Sequence, residues 1–202
     1  PLGAIAVDST GTTTFGSTVN AASLATNTGG TTSLGGNVTT TGAQTYSDAV
    51  VLATNVTLDA SAITTSNTIS ASSYNLTLIS DALVLGAAVN GGVGTITIKP
   101  HTANTTIGLG DGAAGALHLS NAELGYINTS GNNFAAIVVG DSINGTGAMS
   151  YKPGSTISFG SSLTLQQKST GDGITISNSI TTSGSQTYTG SVQLGSDLTL
   201  TT

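Results

Sequence analysis

The chain has no cysteine, no arginine and very little charge. Of its 202 residues, Lys and Arg together number 3 and Asp and Glu 9, so charged side chains make up 6% of the sequence, against about 25% in an ordinary globular protein. Each absence excludes something. Without cysteine, disulfides are not a source of stability, and the redox compartment is left unmarked. The bases are Lys99, Lys152 and Lys168 alone, and the formal net charge is −6. Such a surface cannot neutralise a run of phosphates, so nucleic acid is not an expected partner. Acidic polysaccharides and anionic membrane surfaces are disfavoured for the same reason. No run approaches the roughly 18 apolar residues that span a bilayer, and the chain reads as not membrane-spanning. Helix signals are nearly missing, and Ser120–Ile127 is the one stretch where a helical turn is expected. No leader pattern opens the chain. Pro1-Leu2-Gly3 reads equally well as a cleavage scar or as native sequence, and an internal fragment of a longer protein is expected.

What the chain does have is a period. Apolar pairs separated by one residue recur about every twenty positions: Val56/Leu58, Leu76/Leu78, Ile96/Ile98, Leu117/Leu119, Ile137/Val139 and Ile157/Phe159. Alternation of period two marks a strand with one buried face, and the intervening Gly, Asn, Ser and Asp mark tight turns. A repeat of this size predicts a β-solenoid whose turns of chain stack and bury these pairs as a core ladder. A β-sandwich also has short alternating strands but no reason to repeat at this interval. Secondary rows, Ile63 with Leu83 and Ile69 with Val89 and Leu109, complete three short strands per coil. Asn55 and Asn75, each just before its pair, are expected to stack as an Asn ladder. The hydroxyl- and amide-rich surface points to an extracellular or cell-surface setting.

A longer repeat overlies the shorter one. Residues 37–58, NVTTTGAQTYSDAVVLATNVTL, match residues 179–200, SITTSGSQTYTGSVQLGSDLTL, at an offset of 142. The match pairs Gln44 with Gln186, Tyr46 with Tyr188, Val50 with Val192 and Leu58 with Leu200. Upstream, Phe15-Gly16-Ser17 aligns with Phe159-Gly160-Ser161, and Gly29 with Gly171. The chain therefore reads as one solenoid segment, 1–202. It holds one complete module at 13–154, near seven coils, and the start of the next at 155–202.

The motif GAQTYSDAVVLATNVTL, its copy GSQTYTGSVQLGSDLTL, and NTTIGLGDGAAGALHLSNAELGYI resemble the repeats of large filamentous-haemagglutinin-like bacterial exoproteins, also described as β-strand-repeat proteins. The resemblance covers most of residues 13–202. It implies an all-β, right-handed parallel β-helix of roughly ten coils, secretion across an outer membrane, and adhesion or matrix roles; the right hand also follows from the general crossover rule. The function expected is that of a non-enzymatic stalk or fibre segment of a secreted surface adhesin, a filament of the kind found in biofilms. Its partners would be neighbouring modules of the same chain, other copies end to end, or host and matrix glycans. The alternatives are a self-assembling sheath or surface-layer protein, and a carbohydrate-binding or carbohydrate-cleaving β-helix.

Catalytic chemistry finds little support. The acids, Asp8, Asp48, Asp59, Asp81, Asp111, Glu123, Asp141, Asp172 and Asp197, are scattered and sit mostly in turn-like contexts. No two fall on adjacent coil positions beside a base, and Asp59 and Asp81, close to one coil apart, are the pair best placed to approach. Gly108-Leu109-Gly110-Asp111-Gly112 and Gly171-Asp172-Gly173 resemble calcium-binding turns but do not recur at the nonapeptide interval that such turns need. Calcium is therefore not specified, and no cofactor is expected. His101 and His118 have no third ligand, and His118 is expected to face solvent. Neither a nucleophile elbow nor a phosphate loop is present. Thr57, Thr77 and Thr97 would form an outward row of the kind that binds ice, but the row stops at Ala116 and His118, and β-propensity accounts for threonine there. Asn37, Asn55, Asn75, Asn104, Asn128 and Asn144 each begin an N-x-S/T sequon.

Overall fold

The computed structural model describes residues 2–128, 133–195 and 197–202. Pro1 of the amino-terminal tripeptide, and Thr129 and Ser130 of the Asn128 sequon, lie outside the described residues. The chain is a parallel β-solenoid of about 10 stacked coils of ~20 residues. Every strand pairing among the described residues is parallel, so backbone hydrogen bonds run along the rod between coils. At about 4.8 Å per coil the stack is roughly 50 Å tall.

Each coil carries three short strands, and stacking them makes three faces. The first face runs through the start of Val19–Thr26, then Val38–Thr40, Val56–Asp59, Leu76–Ile79, Thr95–Lys99, Ala136–Asp141, Ser162–Gln167 and Gln186–Thr189. The second face begins with the end of Val19–Thr26 and continues through Gln44–Tyr46, Ala62–Thr65 and Ala82–Leu85. The third holds Thr12–Phe15, Thr31–Leu34, Ala49–Leu52, Ile69–Ser70 and Val89–Asn90. Alternate residues point inward, and the core is a set of aliphatic ladders: Val56, Leu58, Leu76, Leu78, Ile96, Ile98, Ile137 and Val139 are each 2% exposed or less.

Twenty-residue regularity holds to Lys99 and then breaks. The first face steps from Ile96 directly to Ile137 and then to Leu163, so the described residues between 100 and 135 belong to one enlarged coil. Within it, Ile107–Leu109 and Leu117–Leu119 pair with each other on the second face, with Leu117–Leu119 lying against Ala82–Leu85. Met149–Tyr151, Ile174–Ile176 and Val192–Leu194 continue that face. Two expected ladder pairs are therefore displaced. Leu117/Leu119 are buried but stand on the second face, and Ile157/Phe159 pair with Ile180 and Thr182 in a separate sheet. Leu109 likewise lies opposite Leu119 and Tyr151 rather than above Val89. The apolar dyad reports that a strand is buried on one side; it is silent about which face the strand occupies.

The enlarged coil also holds the helix Asn121–Tyr126, within the expected stretch. Ser120 caps it through a reciprocal capping box with Glu123. Glu123 Oε1 also accepts the Leu85 backbone N–H at 2.9 Å, closing the edge of the second face where strand pairing stops. On the third face, Phe134 fills the gap. Its ring lies so close over Gly91 that a Cβ there would stand 2.2 Å from a ring carbon, and its carbonyl accepts the Ser161 hydroxyl at 2.6 Å. Ile157–Phe159, Ile180–Thr182 and Leu200–Thr201 stack beyond it. Among the described residues no helix is long and apolar enough to cross a membrane.

Candidate functional site

The chain's scarce charges gather. Asp59, Ile79 and Lys99 are in register on the outward side of the first face, and the chain turns after Lys99 to place His101 back over Asp59, Nδ1 to Oδ1 at 2.7 Å. Lys99 Nζ reaches Asp141 Oδ2 at 3.2 Å in the next coil. Both contacts join residues 42 apart in sequence, a separation that single-coil spacing does not reveal. Asp81 accepts from the Thr102 N–H at 2.8 Å, the Thr102 hydroxyl at 2.6 Å and the Thr105 hydroxyl at 2.7 Å. Beside these groups lies a groove of about 340 Å³, lined by Ile79, Pro100, His101, Ala103, Asp141 and Asn144 among others.

The electrostatics follow from the contacts. Partial burial would raise the Asp81 carboxyl, but the hydrogen bonds from Thr102 and Thr105, with the nearby His101, hold it below its ordinary value. At Asp141 burial acts in the same raising sense and is overcome by the Asn144 and Ile143 N–H groups and by Lys99. Both Asp141 oxygens are thus engaged. The Lys99 and Asp141 side chains are 31% and 13% exposed, and a partly exposed pair of this kind contributes up to about 1 kcal/mol. The arrangement is a clasp: Asp59, Asp81, Lys99, His101 and Asp141 tie successive coils together at one corner of the rod.

The other acids serve local geometry. Asp48 is fully buried and accepts from Gly30 N at 2.8 Å and the Thr32 hydroxyl at 3.3 Å. Asp8 accepts from the Asn27 amide. Asp111, within one of the Gly/Asp turns, exchanges bonds with Asn121 through both backbone N–H groups. Asp172 and Asp197 are not buried. His118 is half-buried, with Nε2 3.1 Å from the Gly110 carbonyl, so it is not the freely solvated residue expected from its outward position. Among the described residues no three His, Asp or Glu side chains converge as a metal site.

The expected Asn ladder takes a particular form. Asn55 Oδ1 accepts the Asn75 N–H and Asn75 Oδ1 accepts the Thr95 N–H, each at 2.9 Å. Asn37, not singled out for this role by its sequence, does the same for Thr57 at 2.8 Å. Each side chain thus bonds the backbone one coil on rather than another amide. Outside them, the threonine row breaks after three coils as expected, but at Val138 rather than His118, and resumes at Thr164 and Thr187.

The longer repeat is reproduced atom by atom in a polar network, fully buried in the first copy and half-buried in the second. Gln44 Nε2 donates to the Val38 carbonyl (3.0 Å), the Thr40 hydroxyl (3.3 Å) and the Asp59 carbonyl (3.0 Å), and the Tyr46 hydroxyl donates to Gln44 Oε1 (2.9 Å). Burial pushes the Tyr46 hydroxyl well up, so it stays a neutral donor. At the offset of 142, Gln186 donates to the Ile180 carbonyl, the Thr182 hydroxyl and the Thr201 carbonyl, and Tyr188 to Gln186. Ser179 Oγ accepts from Thr199 where Asn37 accepts from Thr57. The alignment of Phe15 with Phe159 does not survive. Phe15 pairs with Leu34 on the third face, whereas Phe159 pairs with Thr182, the place that Ala21 takes beside Thr40. The chain is matched by no family model, no curated protein and no solved structure.

Proposed function

We propose that this chain is a non-enzymatic stalk segment of a long secreted surface fibre, built from tandem modules that recur at the offset of 142. The observation that carries the reading is the Gln–Tyr network and its flanking ladder contact, remade at the same offset in both copies. A repeated polar lock has an evident use in a rod that must keep its register over great length. It has none in an enzyme with a single site. The clasp at Lys99, His101 and Asp141 supports the same reading, because it joins coils and leaves both oxygens of Asp141 engaged. The mechanism is mechanical. Aliphatic ladders and axial hydrogen bonds give the rod stiffness, and its neutral hydroxyl and amide surface keeps it solvated with little charge. Extracellular display and adhesion belong to this proposal. Small-angle scattering on the purified chain tests it first: a maximum dimension and pair-distance profile of an elongated rod are expected, and a compact, near-spherical particle would overturn it.

A further inference from the structure

The two copies of the repeat do not lie above one another. Gln44–Tyr46 stands on the second face, between the end of Val19–Thr26 and Ala62–Thr65. Its counterpart Gln186–Thr189 stands on the first face, paired with Ser162–Gln167. The other strands shift in the same sense. Thr31–Leu34 and Ala49–Leu52 are on the third face, while their counterparts Ile174–Ile176 and Val192–Leu194 continue the second. Val38–Thr40 is on the first face, and its counterpart Ile180–Thr182 lies beyond Phe134 on the third. After Gln44 the next first-face strand is Val56–Asp59. Five steps up that face, through Leu76–Ile79, Thr95–Lys99, Ala136–Asp141 and Ser162–Gln167, then reach Gln186. One module therefore closes a third of a turn short of six coils, not at the seven that division by twenty suggests. The enlarged coil absorbs most of the difference, and the next two steps on the first face, Ile137 to Leu163 and Leu163 to Gln186, absorb the rest at 26 and 23 residues.

We infer that a tandem array of these modules hands every surface feature round the rod, one face per module, returning to the starting face after three modules and roughly 80 Å. The uncharged threonine row, the clasp and its groove would each be presented in three directions in turn. Such a rod fits partners that surround it, such as a polymer matrix or neighbouring rods. It does not fit a single flat support, which could meet equivalent faces of at most every third module. The extension to an array rests on the tandem-module reading above; the phase step itself does not.

Because the chain has no cysteine, engineered disulfides test the step in the chain as it stands. In-register neighbours on stacked parallel strands have Cα atoms about 4.8 Å apart, within disulfide reach. The pairs T97C/V138C and T164C/T187C should oxidise within one molecule, as should T175C/Q193C on the second face. In the phase of the first copy, where Thr45 lies beside Ala25, Thr187 would stand beside Gln167 rather than Thr164, so the pair Q167C/T187C should remain reduced. Closure of Q167C/T187C, or failure of either first-face pair while T175C/Q193C closes, would overturn the inference. Neither result depends on whether the rod is elongated in scattering, so failure of the stalk reading and failure of the phase step are told apart.

Discussion

At the scale of single residues, the fold depends on a few buried polar groups that no ladder of aliphatics could replace. Gln44 is fully buried and satisfies two backbone carbonyls and a hydroxyl while accepting from Tyr46. Gln44→Leu would leave the Val38 and Asp59 carbonyls and the Tyr46 hydroxyl unpaired. Each unsatisfied buried group costs about 1–3 kcal/mol, so a loss of about 3 kcal/mol or more is expected in urea unfolding. Adding Tyr46→Phe should recover part of it by removing one orphan. Gln186→Leu should cost less, because that copy of the network is only half-buried. Gln44 and Tyr46 were visible in the sequence as half of a match to Gln186 and Tyr188. Their role was not, because a glutamine opening a short strand in a turn-rich chain has no signature that separates a buried bridge from a surface polar residue.

At the scale of elements, the strands are legible and their neighbours are not. Val56/Leu58, Leu76/Leu78 and Ile96/Ile98 were readable as stacked strands because one coil there is twenty residues and each pair meets the next in register. Leu117 and Ile157 show the limit, since they keep the period while changing face. The clasp was illegible for a related reason: its two ion pairs join residues two coil lengths apart in sequence. It makes a measurable contribution. Asp81 and Asp141 are held below the ordinary carboxylate value in the folded chain. Their stabilisation is therefore fully present above about pH 4, the unfolded value, and is lost as pH falls through the lowered folded values. The urea midpoint should be nearly flat from pH 7 to pH 5 and fall below about pH 4. Asp81→Asn should lower the midpoint at pH 7 and flatten the acid limb; an acid limb unchanged by the substitution would show that Asp81 is not part of it.

At the scale of the whole molecule, the rod has one layer unlike the rest. Among the described residues, between the coil of Ala82–Lys99 and the next, only the first face carries a continuous strand ladder, from Thr95–Lys99 to Ala136–Asp141. The second face is closed there by packing and by Glu123, and the third by Phe134, which is 1% exposed. In a solenoid, stability is a sum of coil terms and interfaces between neighbours, so a weak interface divides the rod. Phe134→Ala should cost about 3–5 kcal/mol and separate unfolding into two steps, with hydrogen exchange in the strands before Lys99 uncoupled from that in the strands after Ala136. Retention of a single cooperative transition would argue that the first-face ladder alone couples the halves.

The sequence by itself determined that strands of period two recur about every twenty residues, that they stack, and that a block of them recurs at an offset of 142. These are properties of local alternation and of identity along the chain, and both are written in one dimension. Only the tertiary structure decided which face each strand joins, that Lys99, His101, Asp59 and Asp141 meet, and that the block returns a third of a turn out of phase. Those depend on how many residues each coil spends in its corners. Residues 100–135 spend them on an extra strand and a helix that bury apolar side chains as well as a regular coil would, so the pattern of burial continues unbroken while the geometry advances.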